Sequence, residues 1–326
     1  MKNSPFSFKE QMSKCVIITG ATGFIGPVLC SHLVEEGYEV VALSRNPDKG
    51  RDILGSQVEL IKWDGRSTEG WAQCADGAFA IINLAGDNIG NGRWTEEKKQ
   101  RILHSRLNAG KAVVEAVEQA KEKPKVVIQA SGISVYGDRG DELCDESTSF
   151  GSGFLPDIGQ QWEDSTKHVT TFGTRHVIIR SGVVFGKGGG FLPRVLLPFR
   201  LFVGGHTGKG AQWYSWIHIE DEVLAIRFLL EKEEAQGAFN LVSPRPVTSR
   251  ELSKTLGRIL KRPSWFPVPA PMLRLLFGEM ADELILSGQR GRPKRLLEAG
   301  FEFQYPEVET ALRDILRSAD MGYARV

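Results

Sequence analysis

CVIITGATGFIG, residues Cys15 to Gly26, is the stretch that decides the fold. Its first half is an unbroken apolar run, and its second half carries glycines at 20, 23 and 26. Apolar residues without alternation mark a strand covered on both faces, as in a parallel sheet. Glycines at this spacing after such a strand, followed by an amphipathic helix from Phe24 to about Glu36, form a loop suited to a dinucleotide. Gly20 permits the tight turn, Gly23 lets a pyrophosphate approach the backbone, and Gly26 lets the helix pack closely on the strand. The helix N-terminus offers free N–H groups and positive dipole to the phosphates. Thr22, Phe24 and Ile25 lie between the glycines and belong to the same expected site.

Working outward, the same rhythm recurs. VVALS (40–44), VELIKW (58–63), FAIINLAG (79–86), KVVIQAS (125–131) and HVIIRSG (176–182) read as further buried strands. Ile102, Leu103, Leu107, Val113, Val114 and Val117 predict a long helix from about Glu96 to Lys121, and a shorter helix is expected around 157–171. Strands and helices alternating in this way imply an α/β fold with a doubly wound parallel sheet. From about Val183 glycine- and proline-rich segments break the rhythm. Helices are expected near Arg250–Leu260, Met272–Phe277 and Pro306–Leu316, while AFNLVS (238–243) returns to the main sheet. The expected organisation is a Rossmann domain of residues 14–182 plus about 216–243. A smaller, mainly helical substrate lobe comprises 183–215 plus 244–318, and residues 1–13 form an N-terminal extension.

The second strand ends in Ser44-Arg45-Asn46, with Arg45 19 residues after Gly26. An acid near this place would bond the ribose 2′-hydroxyl of NAD. A guanidinium instead suits a 2′-phosphate through paired charge-assisted hydrogen bonds. The sequence therefore predicts NADP(H), with Ser44 and Arg45 at the adenosine ribose.

Composition narrows the rest. The 326 residues are 41% hydrophobic and 25% charged, with a net charge of +1, so neither a nucleic-acid nor a membrane footprint is present. No apolar run is long enough to span a bilayer. MKNSPFSFKEQMSK, at the start, lacks the apolar core of a secretion signal. Cys15, Cys30, Cys74 and Cys144 are scattered without a CxxC, which fits small buried hydrophobes in a reducing, cytoplasmic setting. The six histidines form no HxxxH or HExxH pair, so no metal is expected.

Taken together, GATGFIG, NLAG (83–86), SVYG (134–137), RSGVVFG (180–186) and WIHIED (216–221) resemble the extended short-chain dehydrogenase/reductases. WDGR, NLAGDNI, RWTEEKKQRILHSR, YGDRGDE and QWYSWIHIED are similar to an atypical, epimerase-like branch of that superfamily. Its members carry labels such as nucleoside-diphosphate-sugar epimerase or SulA-like cell-division inhibitor. The segment from Pro267 to Pro306 looks like that branch's C-terminal domain of unknown function. The resemblance implies that Asp64 meets the adenine edge, that Leu84, Ala85 and Gly86 line the cofactor's ribose side, and that Arg106 approaches the cofactor phosphates or the substrate. It also implies a pocket wall at Gln212, Trp213 and Trp216, while Lys187 with Gly188, Gly189 and Gly190 reads as a mobile edge of that pocket, where glycine gives flexibility and room.

The superfamily's usual chemistry uses Tyr-x-x-x-Lys, whose spacing puts both side chains on one helix face. There the ammonium lowers the phenol pKa for proton exchange with a substrate oxygen. No such pair occurs in this chain. Counted back from Glu163, which matches the family's usual glutamate, Leu155 stands in the tyrosine's place and Gly159 in the lysine's. Gly132 stands at the usual serine, flanked by Ser131 and Ser134. Tyr136 is the candidate substitute phenol, Ser131 and Ser134 candidate orienting hydroxyls, and His218 a candidate proton carrier, with Asp221 expected to cap a helix.

Two functions follow. One is an NADP(H)-dependent, epimerase-like oxidoreductase with a non-standard relay, acting on a small polar carbonyl or hydroxyl compound such as a nucleotide sugar. The other is a non-catalytic NADP(H)-binding regulatory or scaffold protein. The expected partner is a small-molecule substrate, for a monomer or homodimer.

Overall fold

The computed structural model describes residues 14–320, so the N-terminal extension lies outside the described residues. Seven strands form the central sheet: β1 (Cys15–Thr19), β2 (Glu39–Ser44), β3 (Glu59–Lys62), β4 (Ala80–Asn83), β5 (Val126–Gly132), β6 (Arg175–Ser181) and β7 (Gly237–Leu241). Their order is 7-6-5-4-1-2-3, and every pairing is parallel. The order reverses beside β1, which places the glycine loop at the crevice where doubly wound sheets bind ligands.

The unbroken apolar runs resolve into two alternating faces. Val16 and Ile18 join the layer containing Leu29, Leu33, Val223 and Ile226, while Ile17 joins Ala109, Val113 and Val117 on the other side. All are fully buried. At about 1.5–3 kcal/mol for each large aliphatic side chain, this burial outweighs any helix propensity in the strands.

Helices α1 (Gly26–Glu35), α2 (Pro47–Leu54), α3 (Glu96–Gln119), α4 (Phe154–Asp164) and α6 (Ile219–Glu231) pack about the sheet, and α5 (Leu192–Arg200) belongs to the C-terminal part. Then come α7 (Ser249–Leu260), α8 (Ala270–Phe277), α9 (Lys294–Glu298) and α10 (Val308–Asp320). The helix expected around 157–171 starts and stops earlier. Gly153, at φ +120°, opens α4, and a separate 3₁₀ turn occupies Lys167–Phe172. The helix expected from Phe24 starts at Gly26, leaving Phe24 in the loop. Helices α2, α5 and α9 fall where the sequence reading places no helix. For α2 the signal was present, since Asn46 caps it by accepting from the Lys49 N–H at 3.1 Å and Pro47 opens it.

The C-terminal part has its own core. Leu192, Leu196 and Phe199 of α5, Leu252 and Leu256 of α7, and Leu312 and Ile315 of α10 pack around Phe185, Tyr214 and Trp216. Helix α7 starts with a capping box between Thr248 and Glu251.

Candidate functional site

The glycine loop is held by steric necessity. Gly20 adopts φ +69°, and a Cβ there would sit 2.8 Å from the carbonyl carbon of Leu84. Leu84 and Ala85 lie directly on the loop: the Leu84 N–H donates to the Thr19 carbonyl at 3.2 Å, and the Ala85 N–H to Thr19 Oγ1 at 3.2 Å. At Gly23 the N–H closes a turn onto the Gly20 carbonyl at 2.9 Å. A Cβ on Gly26 would lie 2.1 Å from the Ala21 carbonyl oxygen, so the close approach is to the loop itself rather than to the strand. Helix α1 has no side-chain cap, which leaves its first-turn N–H groups for a ligand.

Three buried polar residues pin the strand tips beneath this loop. Thr19 Oγ1 donates to Asn83 Oδ1 at 2.5 Å, and Asn83 Nδ2 donates to Gln129 Oε1 at 2.8 Å. Sequence reasoning missed this chain, although polar residues inside the IIN and VVIQ runs were its signal.

Arg45 is exposed at the end of β2, beside the loop. The Ser44 hydroxyl is turned into its own loop, donating to the Asn46 carbonyl at 3.1 Å and accepting from the Asn46 N–H at 3.2 Å. Asp64 requires a correction. Its carboxylate accepts from the N–H groups of Arg66 and Ser67, from Arg66 Nε and from Ser67 Oγ. A carboxylate offers about four lone-pair sites, so its own turn consumes what an adenine edge would need. Burial acts against ionisation here, but the Ser67 and Arg66 hydrogen bonds prevail and hold the carboxyl at about 2.

Lys187, Gly188 and Gly189 face Thr22, Gly23, Phe24 and His218 across a cavity of about 570 Å³. The expected loose glycine edge is a packed contact. Cβ atoms on Gly189 and Gly190 would lie 2.6 and 2.8 Å from the Phe24 ring, so only glycine lets this loop close on it.

A second cavity, of about 350 Å³, opens between Ile25, the segment from Ser131 to Ser134, and Trp213. Leu155 and Gly159 line it, so the two positions where the relay belongs do face the pocket. A Cβ on Gly159 would meet Val135 Cγ1 at 2.4 Å. Arg106 also lines this cavity and is 8% exposed. Its Nη1 donates to the carbonyls of Ile102 and Asp87 at 2.9 and 3.1 Å, and its guanidinium lies 4.6 Å from the centre of the Trp162 ring. Gly86 presses on it, with a Cβ position 3.0 Å from Cζ. Burial lowers the Arg106 pKa to about 10, against the pull of Asp87, whose carboxylate is bonded to Lys98 Nζ at 2.8 Å.

Tyr136 is a second correction. It is fully buried and is not among the residues lining either cavity. Its hydroxyl donates to Asn240 Oδ1 at 2.8 Å and accepts from Arg180 Nη1 at 2.9 Å. Burial pushes its pKa up to about 12 despite Arg180. Arg180 in turn grips Glu163 through Nε and Nη2, both at 2.8 Å, and Ser131 Oγ donates to the same carboxylate at 2.7 Å. Ser131 and Ser134 both line the smaller cavity, but the Ser131 hydroxyl is committed to Glu163.

In the WIHIED block the expected pocket-wall Trp216 and proton carrier His218 both have structural roles. Trp216 is fully buried, stacked on Phe185 with ring centres 5.5 Å apart, and its indole N–H donates to the Arg245 carbonyl, so it is core rather than pocket wall. His218, not Asp221, caps α6, with Nδ1 accepting from the Glu220 N–H at 3.2 Å. Burial lowers the His218 pKa to about 4, outweighing Asp314, which keeps it neutral near pH 7. Asp221 instead accepts from the N–H groups of Gln304 and Tyr305, tying down the C-terminal segment. Gln212 braces Thr207 and Ile285, whereas Trp213 does line the cavity.

Among the described residues no group of three or more potential ligands could hold a metal ion, and no helix is long and apolar enough to cross a membrane. All four cysteines are free thiols.

Comparison with known proteins agrees with this geometry. Residues 16–241 match the model of the NAD dependent epimerase/dehydratase family, and residues 268–315 match a domain of unknown function, DUF1731. The epimerase family protein YfhF of Bacillus subtilis is 38% identical over 92% of this chain and 97% of its own length. A chloroplastic homologue of epimerase family protein SDR39U1 from Arabidopsis thaliana is 36% identical over 95% of this chain and 89% of its own, so the relatives do not share one cytoplasmic location. The crystal structure of human SDR39U1 with NADPH superposes with a TM-score of 0.83 at 32% identity, covering 93% of this chain and 99% of that one.

Proposed function

This chain belongs to the NAD dependent epimerase/dehydratase family, and from that premise we propose that it binds NADP(H) and acts as an epimerase-like oxidoreductase on a small polar carbonyl or hydroxyl compound. The observation that carries this reading is the 350 Å³ cavity that opens beside Ile25 of the glycine loop, which retains a substrate-sized space although Leu155 and Gly159 replace the usual relay. The residues fit the cofactor. Gly20, Gly23 and Gly26 leave a backbone cradle that any Cβ would fill or strain, and α1 leaves its first N–H groups uncapped. Arg45 stands free to meet a 2′-phosphate, and the NADPH found in the human relative supports the choice. Leu84, Ala85 and Gly86 line the ribose side, and the half-satisfied Arg106 guanidinium binds a phosphate or a substrate anion.

When bound, the nicotinamide supplies or accepts a hydride at C4. The protein's part is to exclude water with Ile25, Leu155, Ile158 and Trp162 and to orient the ligand's oxygen near Ser134. In this reading residues 14–182 with 216–243 form the cofactor side, and 183–215 with 244–318 close over the substrate. A second reading, a cofactor-holding regulator, is favoured by one observation: the phenol and ammonium are missing from the pocket face where they would act.

The test is titration with NADPH and NADH, followed by nicotinamide fluorescence, on the native chain and Arg45→Glu. NADPH should bind more tightly than NADH, and the substitution should weaken it at least about tenfold, about 1.4 kcal/mol. Equal affinity for the two cofactors, or no effect of Arg45→Glu, overturns the assignment of the 2′-phosphate site. If neither cofactor binds, the oxidoreductase reading is overturned.

A further inference from the structure

Glu222, in the first turn of α6, has no exposed surface. One carboxylate oxygen accepts from Ser181 Oγ, while the other, Oε2, has no hydrogen-bond partner among the described residues. Among the described residues no cation is bonded to it. On the packed elements, Arg180 is turned to Glu163, Arg227 to Glu36, and Asp221 to the Gln304 and Tyr305 N–H groups. A charge buried with half its acceptors unmet is costly, and an apolar side chain would fill the same volume without that cost. The group is therefore best understood as one that holds a proton. Burial raises its pKa to about 8, in spite of the Ser181 hydrogen bond.

The other end of this hydrogen bond is the pocket. Ser181 ends β6 and lines the 350 Å³ cavity together with Leu155 and Gly159. It pairs across the sheet with Gly132, the position where the family's serine is replaced. A residue on the neighbouring strand thus presents a hydroxyl next to the vacated one, with a proton store behind it.

We propose that Ser181 and Glu222 form the proton route of this pocket, Ser181 exchanging with the ligand oxygen and Glu222 refilling Ser181. The proposal rests on the oxidoreductase reading above. In the reducing direction, the ligand's carbonyl carbon gains the hydride that the bound cofactor supplies, and the carbonyl oxygen takes the Ser181 proton. As its own proton leaves, Ser181 Oγ takes the Glu222 proton from the carboxyl oxygen that faces it, and the carboxylate left behind accepts the renewed Ser181 hydroxyl. Oxidation of a hydroxyl runs the same transfers backwards and leaves Glu222 protonated. Glu222 acts only through Ser181, so it is a positioning residue for the proton rather than a group in contact with substrate.

The experiment uses the whole chain with NADP⁺ and NADPH as probes. The Glu222 carboxyl is followed by infrared difference titration, assigned by its loss in Glu222→Gln. A band titrating near neutral to mildly alkaline pH is expected, with its midpoint lower when NADP⁺ is bound than when NADPH is bound, because the oxidised nicotinamide carries a positive charge. Correspondingly, the ratio of NADP⁺ to NADPH affinity should rise at least about threefold through that midpoint, and this rise should vanish in Glu222→Gln. Ser181→Ala, which leaves the carboxyl in place, should lower turnover of any substrate while sparing cofactor affinity, and it keeps the idea testable if Glu222→Gln does not fold. A carboxyl ionised throughout, or one whose titration ignores the cofactor while both cofactors bind, overturns the proton route and leaves the oxidoreductase reading standing. Absence of cofactor binding overturns that reading, and the route with it.

Discussion

Replacing Tyr136 by phenylalanine separates a structural phenol from a chemical one. The hydroxyl makes two buried hydrogen bonds, to Asn240 Oδ1 at 2.8 Å and from Arg180 Nη1 at 2.9 Å. A neutral hydrogen bond contributes about 0.5–1.5 kcal/mol and one to a charged group about 1.5–3. Arg180 retains its two bonds to Glu163, and its guanidinium stays 5.2 Å from the ring centre, so the charged contribution is partly preserved. The expected cost is about 2 kcal/mol. With a urea slope of about 3 kcal/mol/M, the unfolding midpoint falls by about 0.7 M. NADPH affinity should stay within about twofold, or about 0.4 kcal/mol, because the hydroxyl reaches neither cavity. The reasoning is refuted if the midpoint moves by less than about 0.2 M while NADPH binding or turnover collapses. That pattern would mean an accessible, working phenol. A tyrosinate step near pH 10, lost in the variant, would refute it as well, since burial holds this phenol at about 12.

Two further outcomes follow from packing and burial. Installing the standard pair, as Leu155→Tyr with Gly159→Lys, should not create a relay: a Cβ at residue 159 lies 2.4 Å from Val135 Cγ1. The overlap costs about 1–3 kcal/mol, offset by about 1 from helix propensity, and a urea double-mutant cycle of Gly159→Ala with Val135→Ala should show it as non-additivity. His176, 7% exposed and bonded to Thr166 Oγ1 at 2.9 Å, has its pKa lowered to about 4 by burial and then by Lys167. The unfolded chain binds this proton first, so stability is intact above about pH 6.5 and declines toward pH 4, by up to about 3 kcal/mol from this residue. In His176→Gln that window of the pH–stability curve should flatten; an unchanged slope would show that His176 charges freely in the fold.

How much was legible in the chain can be argued residue by residue. The strand runs, the glycine loop and the doubly wound order depended on short-range rules: two-sided burial writes an unbroken apolar segment, and a tight turn writes a glycine. Gly20 illustrates this, for its φ of +69° and its approach to Leu84 admit nothing larger. The absence of Tyr-x-x-x-Lys was likewise a matter of counting. What substitutes for that pair was not legible. Tyr136 and Asp64 looked available in sequence, but one is saturated by Asn240, 104 positions away, and the other by its own turn. Trp216 looked like a pocket wall and lies in the core of the C-terminal part. Conversely, Ser181 lies inside RSGVVFG and Glu222 directly after WIHIED, but nothing in either motif signalled that the two side chains, 41 positions apart, would meet.

The sheet, the glycine loop, the arginine after β2 and the absence of the standard relay are all written in the order of residues, because backbone conformation and burial periodicity are set locally. Which polar side chains remain free to act emerges from the folded chain alone. A side chain's hydrogen-bonding capacity is finite, and whether it is spent within the protein or left for a ligand depends on partners that only the folded chain brings into reach.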